Sequence, residues 1–212
     1  MLYGGVCFIT DRKVRDISVE DMVKAVLDGG IRWIQLREKE LPRREIFYMA
    51  ERLRLLTRQY SAVFIVNDHP DIALAVEADG VHLGQDDFPP ERARKFMGTA
   101  IIGHSTHSLK EAAEAEKKGV DYIGFGPIYR TTTKADADEP KGVELLKEVT
   151  KRVSLPVVAI GGIRLESLEE VFAAGAAAVA VASDILRASD ISKRSMEFVK
   201  IIEKIAKGYN RG

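Results

Sequence analysis

Two hydrophobic rhythms alternate along the chain. Short runs of four or five apolar residues, rich in Val and Ile, recur at 6–9, 33–36, 63–66, 80–83, 100–103, 122–125, 156–160 and 178–181. Gly, Asp or Pro bounds each run or lies within three residues of it. Such runs read as strands buried on both faces, the habit of a parallel sheet. Between them lie longer stretches with apolar residues three and four apart. Residues 18–27 open on a capping Ser18 and place apolar side chains at 19, 22, 23, 26 and 27. Residues 42–60, 89–97, 108–118, 143–153 and 167–174 follow the same logic, most with Pro or Ser near the start. A short helix fits at 70–76, and a last one at 191–207.

The pattern predicts eight strands and about eight helices in alternation. A repeat shows through as well. Asp28-Gly29-Gly30-Ile31, Ala78-Asp79-Gly80-Val81, Lys118-Gly119-Val120-Asp121 and Ala174-Gly175-Ala176-Ala177 each precede an even-numbered strand. Four similar helix-to-strand turns suggest a quasi-fourfold barrel of paired βα units. No linker or low-complexity tract divides residues 1–212, so the expected architecture is a single-domain α/β protein, one (β/α)8 TIM barrel. An open doubly wound sheet would need fewer strands, and no Gly-x-Gly-x-x-Gly turn supports it.

Composition narrows the partners. The 32 Lys and Arg balance the 32 Asp and Glu, which argues against broad nucleic-acid or membrane-surface binding while permitting a local basic cluster. An apolar share of 46% supplies a buried core. The one cysteine, Cys7, can form neither an internal disulfide nor a cysteine-based zinc site, and reads as a small buried residue. No apolar run nears the roughly 20 residues that span a bilayer. The stretch from Met1 to Thr10 lacks a basic leader and runs into Asp11 and Arg12. The expectation is a cytoplasmic protein acting on small molecules.

In such a barrel the active site forms from the loops after the strands. After strand two, alternation puts Gln35, Arg37 and Lys39 on one side. A guanidinium fork with an ammonium suits phosphate or pyrophosphate. After strands three and four come Asp68 and the pair Asp86-Asp87. Two carboxylates beside those cations would hold Mg²⁺, although Asp86 or Asp87 ahead of Pro89 also suits a helix cap. After strand five, Ser105 is placed to bond a substrate and Ser108 to cap a helix. His104 and His107 have structural readings of equal weight, and His82 inside strand four reads as a satisfied core histidine. No Ser-His-Asp arrangement accompanies them. After strand six a long aperiodic stretch carries Thr131, Thr132, Thr133 and Lys134, the makings of an anion clamp. Gly161-Gly162 after strand seven and Ala182-Ser183 after strand eight suit a backbone nest for a monophosphate. Two anion-handling regions in one mouth predict a two-substrate transfer with pyrophosphate as leaving group.

At these residues the chain resembles the thiamine phosphate synthase family. The resemblance runs from Phe8-Ile9-Thr10-Asp11 through Gln35-Leu36-Arg37-Glu38-Lys39, Val66-Asn67-Asp68 and Gly80-Val81-His82-Leu83-Gly84-Gln85. It continues in Ser105-Thr106-His107, Gly124-Phe125-Gly126-Pro127-Ile128-Tyr129 and Ala159-Ile160-Gly161-Gly162-Ile163. It implies coupling of hydroxymethylpyrimidine diphosphate to a thiazole phosphate, with Mg²⁺ held at Asp68 and Asp87. It also implies pyrimidine diphosphate contacts on Gln35, Leu36, Arg37, Glu38, Lys39, Asn67, Ser105 and Lys134. Of these, Arg37, Lys39, Ser105 and Lys134 would serve the reaction itself. Thiazole phosphate contacts would fall on Thr131, Thr132, Thr133, Gly162, Ala182 and Ser183. Two positions depart from the family's habit: Arg130 where Pro is common, and Ala182 where a larger aliphatic is common. A thiazole tautomerase of the same superfamily, using His107, is the nearest alternative. A non-catalytic sensor of a pathway phosphate is a further one. Retention of Thr131-x-Thr133-Lys134 with Asp68 and Asp87 favours the synthase. Both a monomer and a homodimer remain open.

Overall fold

The computed structural model describes residues 5–131 and 139–209. Strands β1 (Gly5–Ile9), β2 (Trp33–Leu36), β3 (Val63–Asn67), β4 (Gly80–Leu83), β5 (Ile101–Thr106), β6 (Tyr122–Phe125), β7 (Val157–Ile160) and β8 (Ala178–Val181) close into a barrel in sequence order. Every neighbouring pair is parallel, and β1 meets β8 with Val6 opposite Val179 to complete the ring. Around it run α1 (Val19–Asp28), α2 (Arg43–Gln59), α3 (Pro70–Ala75), α4 (Pro90–Met97), α5 (Leu109–Glu116), α6 (Gly142–Arg152), α7 (Leu168–Ala173), α8 (Ser183–Leu186) and α9 (Ile191–Tyr209). The (β/α)8 barrel expected from the two rhythms is the observed fold.

Alternation along each strand sorts the core into two shells. Outward residues such as Phe8, Ile34, Phe64, Val81, Ile123 and Val179 pack against the helices. Inward ones, Cys7, Ile9, Trp33, Ile65, Tyr122 and Val158 among them, fill the barrel. Cys7 is 1% exposed, and burial pushes its thiol well above the ordinary range, so it is inert packing. Gly103 makes room for the Tyr122 ring. A Cβ there would lie 2.1 Å from the Tyr122 ring, which meets Trp33 in a T-shaped pair at 5.2 Å between centroids. Among the described residues, no helix is long and apolar enough to cross a membrane.

The repeat in the sequence has a structural counterpart at the N-terminal ends of the strands. Left-handed residues turn the chain at Gly30, Glu77, Gly119 and Gly175, one ahead of each even strand. At two of these turns an acid closes a clasp. Asp79 accepts the Phe64 amide at 2.7 Å and is gripped by Arg54 at 2.8 and 3.1 Å. Asp121 accepts the Ile102 amide at 2.7 Å and meets Arg94 at 2.5 Å. Each clasp ties a helix to two strands.

Two local differences from the pattern matter at the other end. β5 runs on to Thr106, so His104 and Ser105 stand on the sheet rather than in a loop. The polar run His-Ser-Thr hid the strand, because here the barrel interior is polar. The chain after β8 forms the four-residue α8, preceded by Ala182.

Candidate active site

The C-terminal ends of the strands surround a cavity of about 180 Å³. On β2 and its extension, alternation turns Gln35, Arg37 and Lys39 into it, as expected. The side chains of Leu36 and Glu38 point elsewhere. Leu36 is buried in the outer core. Glu38 accepts the amides of Glu40 and Leu41 at 2.8 and 3.4 Å and meets Arg12 at 3.1 Å. Neither side chain lines the cavity, because the strand's alternation aims them outward, which leaves only their backbone to serve the implied contacts. Thr10, at the end of β1, pins this segment. Its hydroxyl accepts the Arg37 amide at 2.9 Å and donates to the Arg37 carbonyl at 3.2 Å. Thr10 itself lines the cavity, a role visible in the sequence only through the Phe8-Ile9-Thr10-Asp11 motif.

Asn67 and Asp68 are consecutive, yet both line the cavity. The backbone explains it. Asp68 adopts φ 67°, the left-handed region that Asp tolerates better than most side chains. The Asp68 amide donates to the His82 carbonyl at 2.8 Å, which fixes the turn against β4. Asp68 is 11% exposed in its side chain and meets Lys39 at 2.5 Å.

Asp87, not Asp86, joins it. α4 begins at Pro90 without any side-chain cap, so the capping role allowed for this pair is not used. Instead the Asp87 carboxylate folds back to accept the Gly84 amide at 2.7 Å. The Asp68 and Asp87 carboxyls lie close enough that each shifts the other's titration. Burial, with Asp87 alongside, raises the Asp68 carboxyl to about 6 in spite of Lys39. Burial also opposes charge on Asp87, but Asp68 and the Gly84 amide hold its carboxyl below the ordinary range. Hard oxygen donors beside phosphate-binding cations fit Mg²⁺, which takes one or two carboxylates and substrate phosphates. Among the described residues no cluster of three or more His, Cys, Asp or Glu forms, so a cation at this pair would complete its shell with water and substrate oxygens.

The floor of the cavity is a buried polar chain. His82 Nδ1 lies 2.9 Å from the Tyr122 hydroxyl, and its Nε2 lies 2.9 Å from Ser105 Oγ. Burial drives the imidazole down to about 3, so it stays neutral. His82 is therefore both a satisfied core histidine and the group that sets the Ser105 rotamer. His107 also lines the cavity, and its Nδ1–H donates to the Gly126 carbonyl at 2.7 Å. His104 faces away: its Nδ1–H donates to the Leu83 carbonyl at 3.0 Å, and Gln85 bonds its Nε2 at 3.1 Å.

The opposite wall is the glycine turn. Gly161 and Gly162 have φ 94° and 66°. A Cβ on Gly162 would come within 2.6 Å of the Arg130 carbonyl, so both conformation and space demand glycine. Thr131, Gly162, Ala182 and Ser183 line this side as expected. Thr132, Thr133 and Lys134 lie outside the described residues. Ile160, Ile163, Ala180 and Val181 complete an apolar patch between the two polar walls. Nothing but strand position signals it in the sequence.

Comparison with known proteins accords with this arrangement. Residues 6–185 match the family model described as thiamine monophosphate synthase. A thiamine-phosphate synthase from Pelotomaculum thermopropionicum is 48% identical over 185 residues, covering 87% of this chain and 85% of that protein. One from Pyrococcus abyssi is 46% identical over 197 residues, covering 93% and 94%. The solved thiamine phosphate pyrophosphorylase of Pyrococcus furiosus superposes with a TM-score of 0.89 at 41% identity, covering 96% of this chain and 98% of that one. By sequence and by barrel, the chain is a member of the thiamine monophosphate synthase family, a family of transferases.

Proposed function

We propose that the protein couples hydroxymethylpyrimidine diphosphate with thiazole phosphate to give thiamine phosphate and pyrophosphate in a Mg²⁺-dependent reaction, the carboxylate form of the thiazole phosphate reacting likewise with release of CO₂ and uptake of a proton. The observation that carries this reading is one cavity with two unlike anion walls: Lys39, Asp68 and Asp87 on one side, Gly162 and Ser183 on the other. Asp68 and Asp87 would hold the cation, and Arg37 and Lys39 the diphosphate oxygens. Bound there, Mg²⁺ would neutralise charge that builds on the departing pyrophosphate.

The bond that breaks joins the pyrimidine methylene carbon to a diphosphate oxygen, and its electron pair leaves with pyrophosphate. The methylene cation is stabilised by the aminopyrimidine ring. The thiazole nitrogen lone pair then forms the new C–N bond, and no proton need move. A step of this kind asks for aligned reactants and fixed dipoles more than for a base. Ser105, its hydroxyl aimed by the neutral His82, and Gln35 are suited to orient the pyrimidine. The Gly162–Ser183 wall suits the thiazole phosphate, and the apolar patch between the walls suits two stacked rings.

Incubation of the protein with both substrates and Mg²⁺ should yield thiamine phosphate and pyrophosphate in equal amounts. Absence of both from folded protein would sink the proposal. Isomerisation of a thiazole carboxylate phosphate without coupling would install the His107-dependent alternative instead.

A further inference from the structure

Outside the reaction cavity lies a second, larger hollow of about 700 Å³. The two share Thr131, Gly162, Ile163 and Ser183, so a phosphate held by these residues is reached from both. The outer hollow is lined by five cations, Arg130, Arg164, Arg187, Lys193 and Arg194, against three acids, Asp184, Asp190 and Glu197.

The acids are already committed. Asp184 and Glu197 engage Arg194 at 2.8 and 3.2 Å, and Glu166 approaches the same guanidinium at 3.7 Å. Asp190 accepts the Lys193 amide at 2.9 Å. Arg194 is thereby used up in holding α8 and α9 together. Arg130, Arg164 and Lys193 are different: each is exposed, and among the described residues no carboxylate stands within ion-pair distance of them. Three cations with no carboxylate partner among the described residues, arrayed around a hollow that begins at a phosphate nest, form a potential well for further negative charge.

We propose that this basin receives a second phosphoryl group, so that nest and basin together bind a diphosphate ester whose inner phosphate sits at Gly162 and Ser183. The inference rests on the function proposed above, which puts the phosphate of the thiazole arm in that nest. In a diphosphate the outer phosphorus is one bridging oxygen beyond the inner one, and the outward path from the nest opens into the basin. Arg130 and Arg164 offer guanidinium forks matched to phosphoryl oxygens, and Lys193 adds a point charge. Arg130 is also one of the two departures from the family's habit, and the basin gives it a task. The consequence is control: the diphosphate of the product alcohol would occupy the nest and exclude the thiazole phosphate.

Calorimetric titration with thiamine monophosphate and thiamine diphosphate, in buffer with chelator so that the Asp68–Asp87 pair stays unmetallated, tests this. The diphosphate should bind about tenfold or more tightly than the monophosphate, and added salt should shrink the difference. In the Arg130→Ala, Arg164→Ala, Lys193→Ala triple variant the difference should vanish while monophosphate affinity stays within about twofold. Lys193→Glu alone should reduce it in the same direction. Equal affinity for the two esters, or a preference untouched in both variants, overturns the basin and leaves the nest standing. Failure of both esters to bind overturns the nest as well, and the proposed function with it.

Discussion

At the N-terminal ends of the strands, Asp79 receives the Phe64 amide and the Arg54 guanidinium, and Asp121 receives the Ile102 amide and Arg94. At the C-terminal ends, Asp68 has Lys39 on one side and a second acid, Asp87, on the other. The residue types are the same; the accounts of charge are opposite. In each clasp an acid meets both an amide and an arginine, and nothing is asked of an outside molecule. At the mouth one acid stands beside another with a single lysine between them and solvent, and on the function proposed above a ligand would complete the balance. The contrast separates carboxylates that hold the barrel from carboxylates proposed to work in it.

The largest break in this comparison should come from Asp68→Asn. Asn tolerates the left-handed backbone, so the thermal midpoint should scarcely move. The coupling rate should nevertheless fall by about 10²–10³-fold, the usual cost of removing one electrostatic contact to a developing charge. Thiazole phosphate binding, measured separately, should survive; equal loss of both would contradict the metal assignment.

Asp79→Ala should do the reverse. Leaving the Phe64 amide and Arg54 without their acceptor should cost about 1–3 kcal/mol in denaturant titration, with turnover per folded molecule unchanged. A variant that keeps its stability but loses turnover would erase the division between the two ends.

His82 lies between them, and its effect should depend on pH. The folded imidazole stays neutral down to about 3, whereas the unfolded chain takes up a proton below about 6.5. Unfolding therefore binds a proton in that window, so stability is full above pH 6.5 and is lost as pH falls toward 3. Between pH 7 and pH 4.5 the stability difference between wild type and His82→Asn should narrow by roughly 2–3 kcal/mol. A pH-independent difference would mean that the buried imidazole is not what titrates.

The smallest effect belongs to a charge at neither end. Lys24 and Asp28 form an exposed pair at 2.7 Å on α1. Lys24→Ala should leave both the denaturation midpoint and the turnover unchanged within error, as exposed pairs do.

The barrel and one wall of the site could be read from the chain, because each follows from periodicity. Val- and Ile-rich runs declare strands, and period-two alternation points Gln35, Arg37 and Lys39 inward while it turns Leu36 and Glu38 out. What stayed hidden depends on contacts between distant segments. That Asp87 folds back onto Gly84 rather than capping α4 is decided by a loop, not by a period. That His82 steers Ser105 requires β4 and β5 to be neighbours in register, with Gly103 opening space for Tyr122. The clasps are half visible: the turns repeat in sequence, but Arg54 and Arg94 come from the preceding helices with nothing local to mark them.

The left-handed turn at Asp68 bears on which residues evolution can place there. Glycine would relax the backbone and forfeit the carboxylate. Asparagine would keep the turn and lose the charge. Glutamate would restore the charge on a longer arm, in a conformation its side chain tolerates poorly. Aspartate meets both demands at φ 67° on the shortest arm that carries a carboxylate. On the function proposed above, a chain of this fold bearing a neutral residue at position 68 would report a changed chemistry before a changed fold.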